Sequence, residues 1–288
     1  MIGIIPAASR STTEIAMRRL LVLLLIVSCG AISACKTNPA TGRSQLILIS
    51  ADKVSAMGAA AKPELVEQYG GEVESETLRA FVTRVGRRVA AQVEPEYAHI
   101  KWEFIVLDSE ILNAFALPGG HVFVSRGLLA KFDNEAQVAG VLGHEIGHVT
   151  ARHVDERLSQ VVAAEFAVGG VGRGTDSQLA VLAARMISQG TLLKFNRDQE
   201  QEADGLGVKY MTRAKYDPHG MLEVLEVLAE ASEGSRKLEI LSTHPDPKRR
   251  IKTVRGLLAG EYAYTQGDPK YKKQVRRFAR DAAPHLRQ

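Results

Sequence analysis

The sequence predicts a mainly helical α+β domain with one small β-sheet, and three observations carry that reading. Aromatic residues make up only 6% of the 288 residues, while Ala, Leu and Val recur at long helical spacings. Two short runs, 100–107 and 121–125, carry the β-branched and aromatic residues of strands. A hydrophobic share of 45% beside a charged share of 24% belongs to an ordinary globular chain, long enough to bury a substantial core in one compact domain with short extensions.

The amino end stands apart from that domain. Arg18-Arg19 is followed by the apolar run 20–27 and then by Ile32-Ser33-Ala34-Cys35, the layout of a bacterial signal peptide ending at a lipidation cysteine. The run is shorter than the roughly 20 residues of a permanent bilayer span. Met17 is the expected start, because the segment before it places Glu14 where a signal peptide is basic. Cys29 offers a second cleavage site but leaves little room after Met17 for charged and apolar regions together, so Cys35 is favoured. The expected division is therefore a signal peptide with its lipidation site over 1–35 and a polar, turn-rich tether over 36–49. A chain matured at Cys35 keeps no pair of cysteines for a disulfide.

Helical spacing runs over 50–69 and 75–93, the second opening on Ser75 as N-cap. The strand 100–107 alternates early, which predicts one face in water. Pro118-Gly119-Gly120 is a turn leading into the strand 121–125. Asn134 caps a long helix expected to reach about 153, with Gln137 completing a capping box. Further helices are expected over 155–167, 176–190, 196–213 and 218–232, with the glycines at 169, 170, 172 and 174 as a flexible connector. Those glycines lack the Gly-Lys-Ser/Thr ending of a phosphate loop. The net charge of +4 resides in residues 268–288, which hold seven Lys or Arg against two Asp. No basic face interleaved with aromatics is present, so nucleic acid is not expected as a partner.

The chemistry centres on His144-Glu145-Ile146-Gly147-His148. Helix positions four apart differ by about 40° in azimuth, so both imidazoles are expected to project from one face, where they can share a metal. Glu145 is then expected beside the ion, where it can take a proton from water. Zinc suits such a set, accepting imidazole and carboxylate and keeping one position open. The flanking residues are apolar and small, which marks a buried helix in which unmetallated polar groups would be costly. An elongated motif would need another His at position 154, which is Val, and a Gly at 151, which is Ala. His153 is one residue short and is expected on the opposite side of the helix, as a surface group or a hydrogen-bond partner of a ligand. The third ligand is therefore expected from another helix. Glu200 and Asp204 share a face of the helix opening at Arg197, so Glu200 is the expected ligand and Asp204 the acceptor that orients a ligand imidazole.

The chain resembles the zinc metallopeptidase family that includes the membrane protease HtpX and the CAAX prenyl protease, and within it the periplasmic lipoprotein branch. The matching pieces are Asn113-Ala114-Phe115-Ala116-Leu117-Pro118-Gly119-Gly120, Ser125-Arg126-Gly127-Leu128-Leu129, the 144–148 motif, the 200–204 segment and Ser242-Thr243-His244-Pro245-Asp246-Pro247. The resemblance implies a zincin-type metalloprotease domain over 50–256, with a small sheet beside the motif helix and a basic extension over 257–288. It implies a gluzincin arrangement: one Zn2+ held by His144, His148 and Glu200, with Glu145 as general base. His244 is implied to approach the metal, either as a latency ligand or as a transition-state donor, and Arg250 to act nearby. Asn113, Ala114, Val122 and Val124 are expected to bind an extended substrate, with the 122–125 strand offering its edge. The implied role is quality control of unfolded or misassembled envelope proteins on the periplasmic side of the outer membrane, with the lipid anchor at Cys35 and Lys36 not opposing that sorting. A lipoprotein chaperone for outer-membrane proteins is the rival reading.

Overall fold

The computed structural model describes residues 35–167, 186, 193–233 and 239–286. The expected leader, the glycine connector and all but one residue of the helix expected over 176–190 lie outside the described residues. The mainly helical α+β architecture is the one observed, with a three-stranded sheet packed against the helix that carries the 144–148 motif.

Strands β3 (Glu103–Leu107), β4 (Ala114–Leu117) and β5 (His121–Ser125) form this sheet in the order β3-β5-β4. β3 and β5 are parallel, with Phe104 opposite Val122, and β4 returns antiparallel, with Ala114 opposite Val124. Gly119 and Gly120 make the reversal between β4 and β5 at φ of 93° and 94°, a region that favours glycine. Alternation sends Phe104, Val106, Ala114, Ala116, Val122 and Val124 to one apolar cluster, and Ile105, Leu107, Phe115, Leu117 and Phe123 to another. Both faces are therefore dry. The expected wet face of 100–107 is corrected: beyond the exposed Glu103, all of β3 is buried. The expected edge strand is corrected as well, because β5 is the central strand and β4 is an edge.

Helices α1 (Ala51–Gln68) and α2 (Glu76–Ala90) precede the sheet. Ser75 caps α2 by accepting from the Leu78 amide, and Leu78, Phe81, Val82, Val85 and Val89 form its buried stripe. The short α3 (Arg126–Leu129) leads to α4 (Glu135–Thr150), whose Asn134–Gln137 capping box is present as read from the sequence. α4 stops at Thr150 rather than near 153. Arg152, at φ 56°, turns the chain into α5 (His153–Ala167).

α6 (Arg197–Arg213) and α7 (His219–Glu233) pack on α4 through positions that exclude a larger side chain. A methyl at Gly147 would meet the Ala203 carbonyl at 2.9 Å, and one at Gly207 would meet the His144 amide at 2.9 Å. That close approach brings the first turns of α6 against the 144–148 segment. α8 (Glu239–Thr243) and α9 (Pro247–Ala259) complete the surroundings of the motif.

Two expectations about the flanks are corrected. The expected tether holds a hairpin, β1 (Cys35–Thr37) with β2 (Ser44–Leu46), in which Asn38 closes the turn by accepting from Ala40 N and Thr41 N. It packs because the Asn38 amide donates to the Thr150 carbonyl at 2.9 Å and the Gln45 amide to the Ala151 carbonyl at 2.7 Å, satisfying carbonyls that a helix end otherwise leaves unpaired. The expected basic extension is also part of the core. Phe278 of α10 (Val275–Asp281) meets Phe81 edge-on at 5.9 Å, and Ala282 and Leu286 are buried beside it. Truncating a buried Phe costs about 3–5 kcal/mol, so this segment contributes to folding and is not a detachable tail.

Candidate metal centre

Four donors converge where α4, α6 and the segment between α8 and α9 meet: His144, His148, Glu200 and His244 each offer one ligand atom, all within 4.8 Å of one another. His144 Nε2 lies 3.0 Å from His148 Nε2 and 3.2 Å from His244 Nδ1. Glu200 Oε1 lies 2.9 Å from His244 Nδ1 and 3.3 Å from His148 Nε2. His144 Nε2 lies 3.6 Å from the other oxygen, Oε2, so three buried imidazole nitrogens surround one buried carboxylate, a set that a divalent ion would satisfy.

The surroundings fit such an ion. His144 Nδ1 is 2.9 Å from Asp204 Oδ1, which leaves Nε2 as its free nitrogen. Arg250, on α9, grips Asp204 through Nε and Nη2 at 2.8 and 2.6 Å. Its Nη1 lies 2.8 Å from Glu200 Oε2, an ion pair without hydrogen-bond alignment, so that oxygen accepts no hydrogen bond. Glu145 Oε2 and His244 Nε2 are also buried without hydrogen-bond partners. An unpaired group of this kind costs about 1–3 kcal/mol in a dry interior, and a cation at the centre would offset that cost for the two carboxylate oxygens.

The electrostatics follow from burial and neighbours. Burial pushes the Glu145 carboxyl up, against the opposing charges of His244 and His144. Burial holds the His148 imidazole well below its ordinary value, keeping it neutral as a ligand must be. For Glu200, burial is outweighed by His244 and Arg250, and the net shift is well downward. Asp204 is likewise held down by Arg250 despite its burial.

Two further features line the centre. The Phe195 ring stacks on His148 at 3.8 Å. His148 Nδ1 lies 2.8 Å from His153 Nδ1, and His153 Nε2 lies 3.0 Å from Glu202 Oε2. The Arg43 guanidinium, from the hairpin, joins Glu202 at 3.0 Å and Glu156 at 2.8 Å. His153 is fully buried, so its expected surface alternative is corrected: the turn at Arg152 brings it back to His148. No local sequence signal marks that turn, since a left-handed residue is most often Gly.

On the Glu145 side the space is a void of about 20 Å³, walled by Val141, Met221, Val224, Leu228, His244 and Arg250 among others. A larger cavity of about 530 Å³ opens between the hairpin, α1 and the end of α4, with Ala116, Pro118 and His148 in its wall. Of the residues expected to bind substrate, Ala114 begins the edge strand β4, whereas Val122 and Val124 lie in the central strand and face the core. Asn113 is buried, its amide donating to Glu239 at 3.0 Å and to the Tyr69 hydroxyl at 3.1 Å.

Residues 76–258 match the model of peptidase family M48. The chain is 32% identical over 220 residues to the mitochondrial metalloendopeptidase OMA1 of Schizosaccharomyces pombe, covering 75% of this chain and 64% of the relative. It is 33% identical over 189 residues to the beta-barrel assembly-enhancing protease of Escherichia coli K12, covering 62% of this chain and 38% of the relative. To the OMA1 of Arabidopsis thaliana it is 37% identical over 163 residues, or 54% of this chain and 31% of the relative. The chain thus spans less than two thirds of the length of each of these relatives. With the motif helix, the carboxylate helix and the His244 segment all inside the matched region, the chain belongs to peptidase family M48.

Proposed function

We propose that the chain is a zinc-dependent metalloendopeptidase acting on unfolded or misassembled envelope proteins. The observation that carries this reading is the convergence of His144, His148, Glu200 and His244 within 4.8 Å, with a buried carboxylate, Glu145, on the adjacent position of the same helix. His144, His148 and Glu200 would hold the ion, Asp204 would orient His144, and Arg250 would hold both carboxylates in place. When bound, the ion supplies Lewis acidity at this donor set. Glu145, raised by burial, takes the proton of the attacking water and passes it to the leaving nitrogen. A substrate strand is assigned to the edge of β4 at Ala114–Leu117 rather than to β5, which is paired on both sides. The 530 Å³ cavity supports this, since Ala116 and His148 share its wall.

Envelope quality control is supported by likeness to the beta-barrel assembly-enhancing protease; the similar OMA1 proteins are named as mitochondrial. Lipid attachment at Cys35 and residence on the periplasmic side of the outer membrane rest on the leader-like sequence that precedes it. No helix among the described residues is long and apolar enough to cross a membrane. The purified zinc-loaded protein, incubated with one outer-membrane β-barrel protein in urea-unfolded and folded forms, should fragment the unfolded form and spare the folded one. Binding of the unfolded form without any cleavage would favour the chaperone reading.

A further inference from the structure

We propose that His153, Glu202 and Arg43 are positioning residues that fix the tautomer and ring orientation of His148. The inference rests on the reading of His148 as a metal ligand. Its Nε2 faces Glu200 Oε1 and His144 Nε2, so the ligating nitrogen must carry a lone pair and the proton of the neutral ring resides on Nδ1. That Nδ1 lies 2.8 Å from His153 Nδ1. Two protonated nitrogens cannot share this contact, so His153 Nδ1 accepts and its own proton resides on Nε2. Nε2 in turn faces Glu202 Oε2 at 3.0 Å, an acceptor. Every proton along the path from His148 to Glu202 is therefore assigned by one requirement, that His148 Nε2 be free for the ion.

Arg43 anchors the outer end of this path. Its Nε and Nη2 lie 3.0 and 3.3 Å from the Glu202 oxygens, while Nη1 and Nη2 form a two-point pair with Glu156 at 2.8 Å. Arg43 stands in the turn of the β1–β2 hairpin, well before residue 76, where the family match begins. Through Asn38 and Gln45 the same hairpin holds the Thr150 and Ala151 carbonyls at the end of the ligand helix. The segment next to Cys35 thus acts on the metal centre in two ways, one through α4 and one through His153.

Zinc affinity, measured by chelator competition, tests the proposal together with the optical spectrum of the cobalt-substituted protein. His153→Leu removes the acceptor and should weaken zinc by about 10–100-fold and alter the cobalt bands. His153→Asn places an amide oxygen near the lost Nδ1 and should retain affinity within about threefold. Wild-type affinity and bands in His153→Leu, or equal losses in both variants, would overturn the proposal. Nitrogen NMR of the zinc-loaded wild type needs no variant: the His153 proton should be on Nε2, and a proton on Nδ1 would also overturn it. His148→Ala, measured alongside, separates the two readings, since undiminished zinc binding there removes the ligand assignment itself.

Discussion

Glu145→Gln should lower peptide hydrolysis by about 10²–10⁴-fold while leaving zinc content and folding intact. The amide keeps the shape of the carboxylate but cannot take up a proton from water. Position decides why this residue and not its neighbours has the largest effect. Glu145 stands between the two imidazoles on α4, is 1% exposed, and leaves Oε2 without a hydrogen-bond partner. It is no ligand of the converging set, so its replacement leaves the four donors in place. Metal content by elemental analysis and hydrolysis of an unfolded protein are the two readouts. Full hydrolysis in a zinc-loaded Glu145→Gln protein would remove Glu145 from the mechanism.

His244→Ala should raise hydrolysis, self-cleavage included. With His244 in place the centre has four protein donors, and the void beside Glu145 is about 20 Å³, room for about one water and not for a peptide. A closed state of this kind admits substrate only when the segment carrying His244 moves. That segment follows the five-residue α8 and continues through Pro245 and the left-handed Asp246. If the open form is populated at about 0.1–10%, removing the imidazole should raise the rate by about tenfold to a thousandfold. The opposite sign, a fall of about 10²–10³-fold, would make His244 a transition-state donor. Activity on a small peptide and on the protein itself separates the two outcomes.

The parts of the fold legible in the sequence are those written in local helical chemistry. Ser75 and the Asn134–Gln137 pair announce their helices because caps act within a single turn. The shared face of Glu200 and Asp204 follows from helical spacing alone, and the structure brings both residues to the two imidazoles. β4 is not legible because Ala114–Leu117 is a short, uniformly apolar run with no alternation, and without it β5 reads as an edge. The hairpin reads as a tether because its order comes from bonds more than 100 residues away in sequence, Asn38 to Thr150 and Arg43 to Glu156. The basic stretch near the carboxyl end reads as solvated because its buried ring, Phe278, finds its partner Phe81 far back in α2. The path from Glu202 to His148 depends on the reversal at Arg152, which no glycine marks.

Whether the buried donor cluster works as a catalytic metal site is decided by a single titration, in which the protein is stripped with a chelator and zinc is returned while hydrolysis of an unfolded protein is followed. The stripped protein should show no hydrolysis, and activity should return linearly with a break at about one zinc per chain. Hydrolysis that survives complete removal of metal, or zinc that rebinds at the 144–148 helix without restoring any, would contradict a catalytic role for the site.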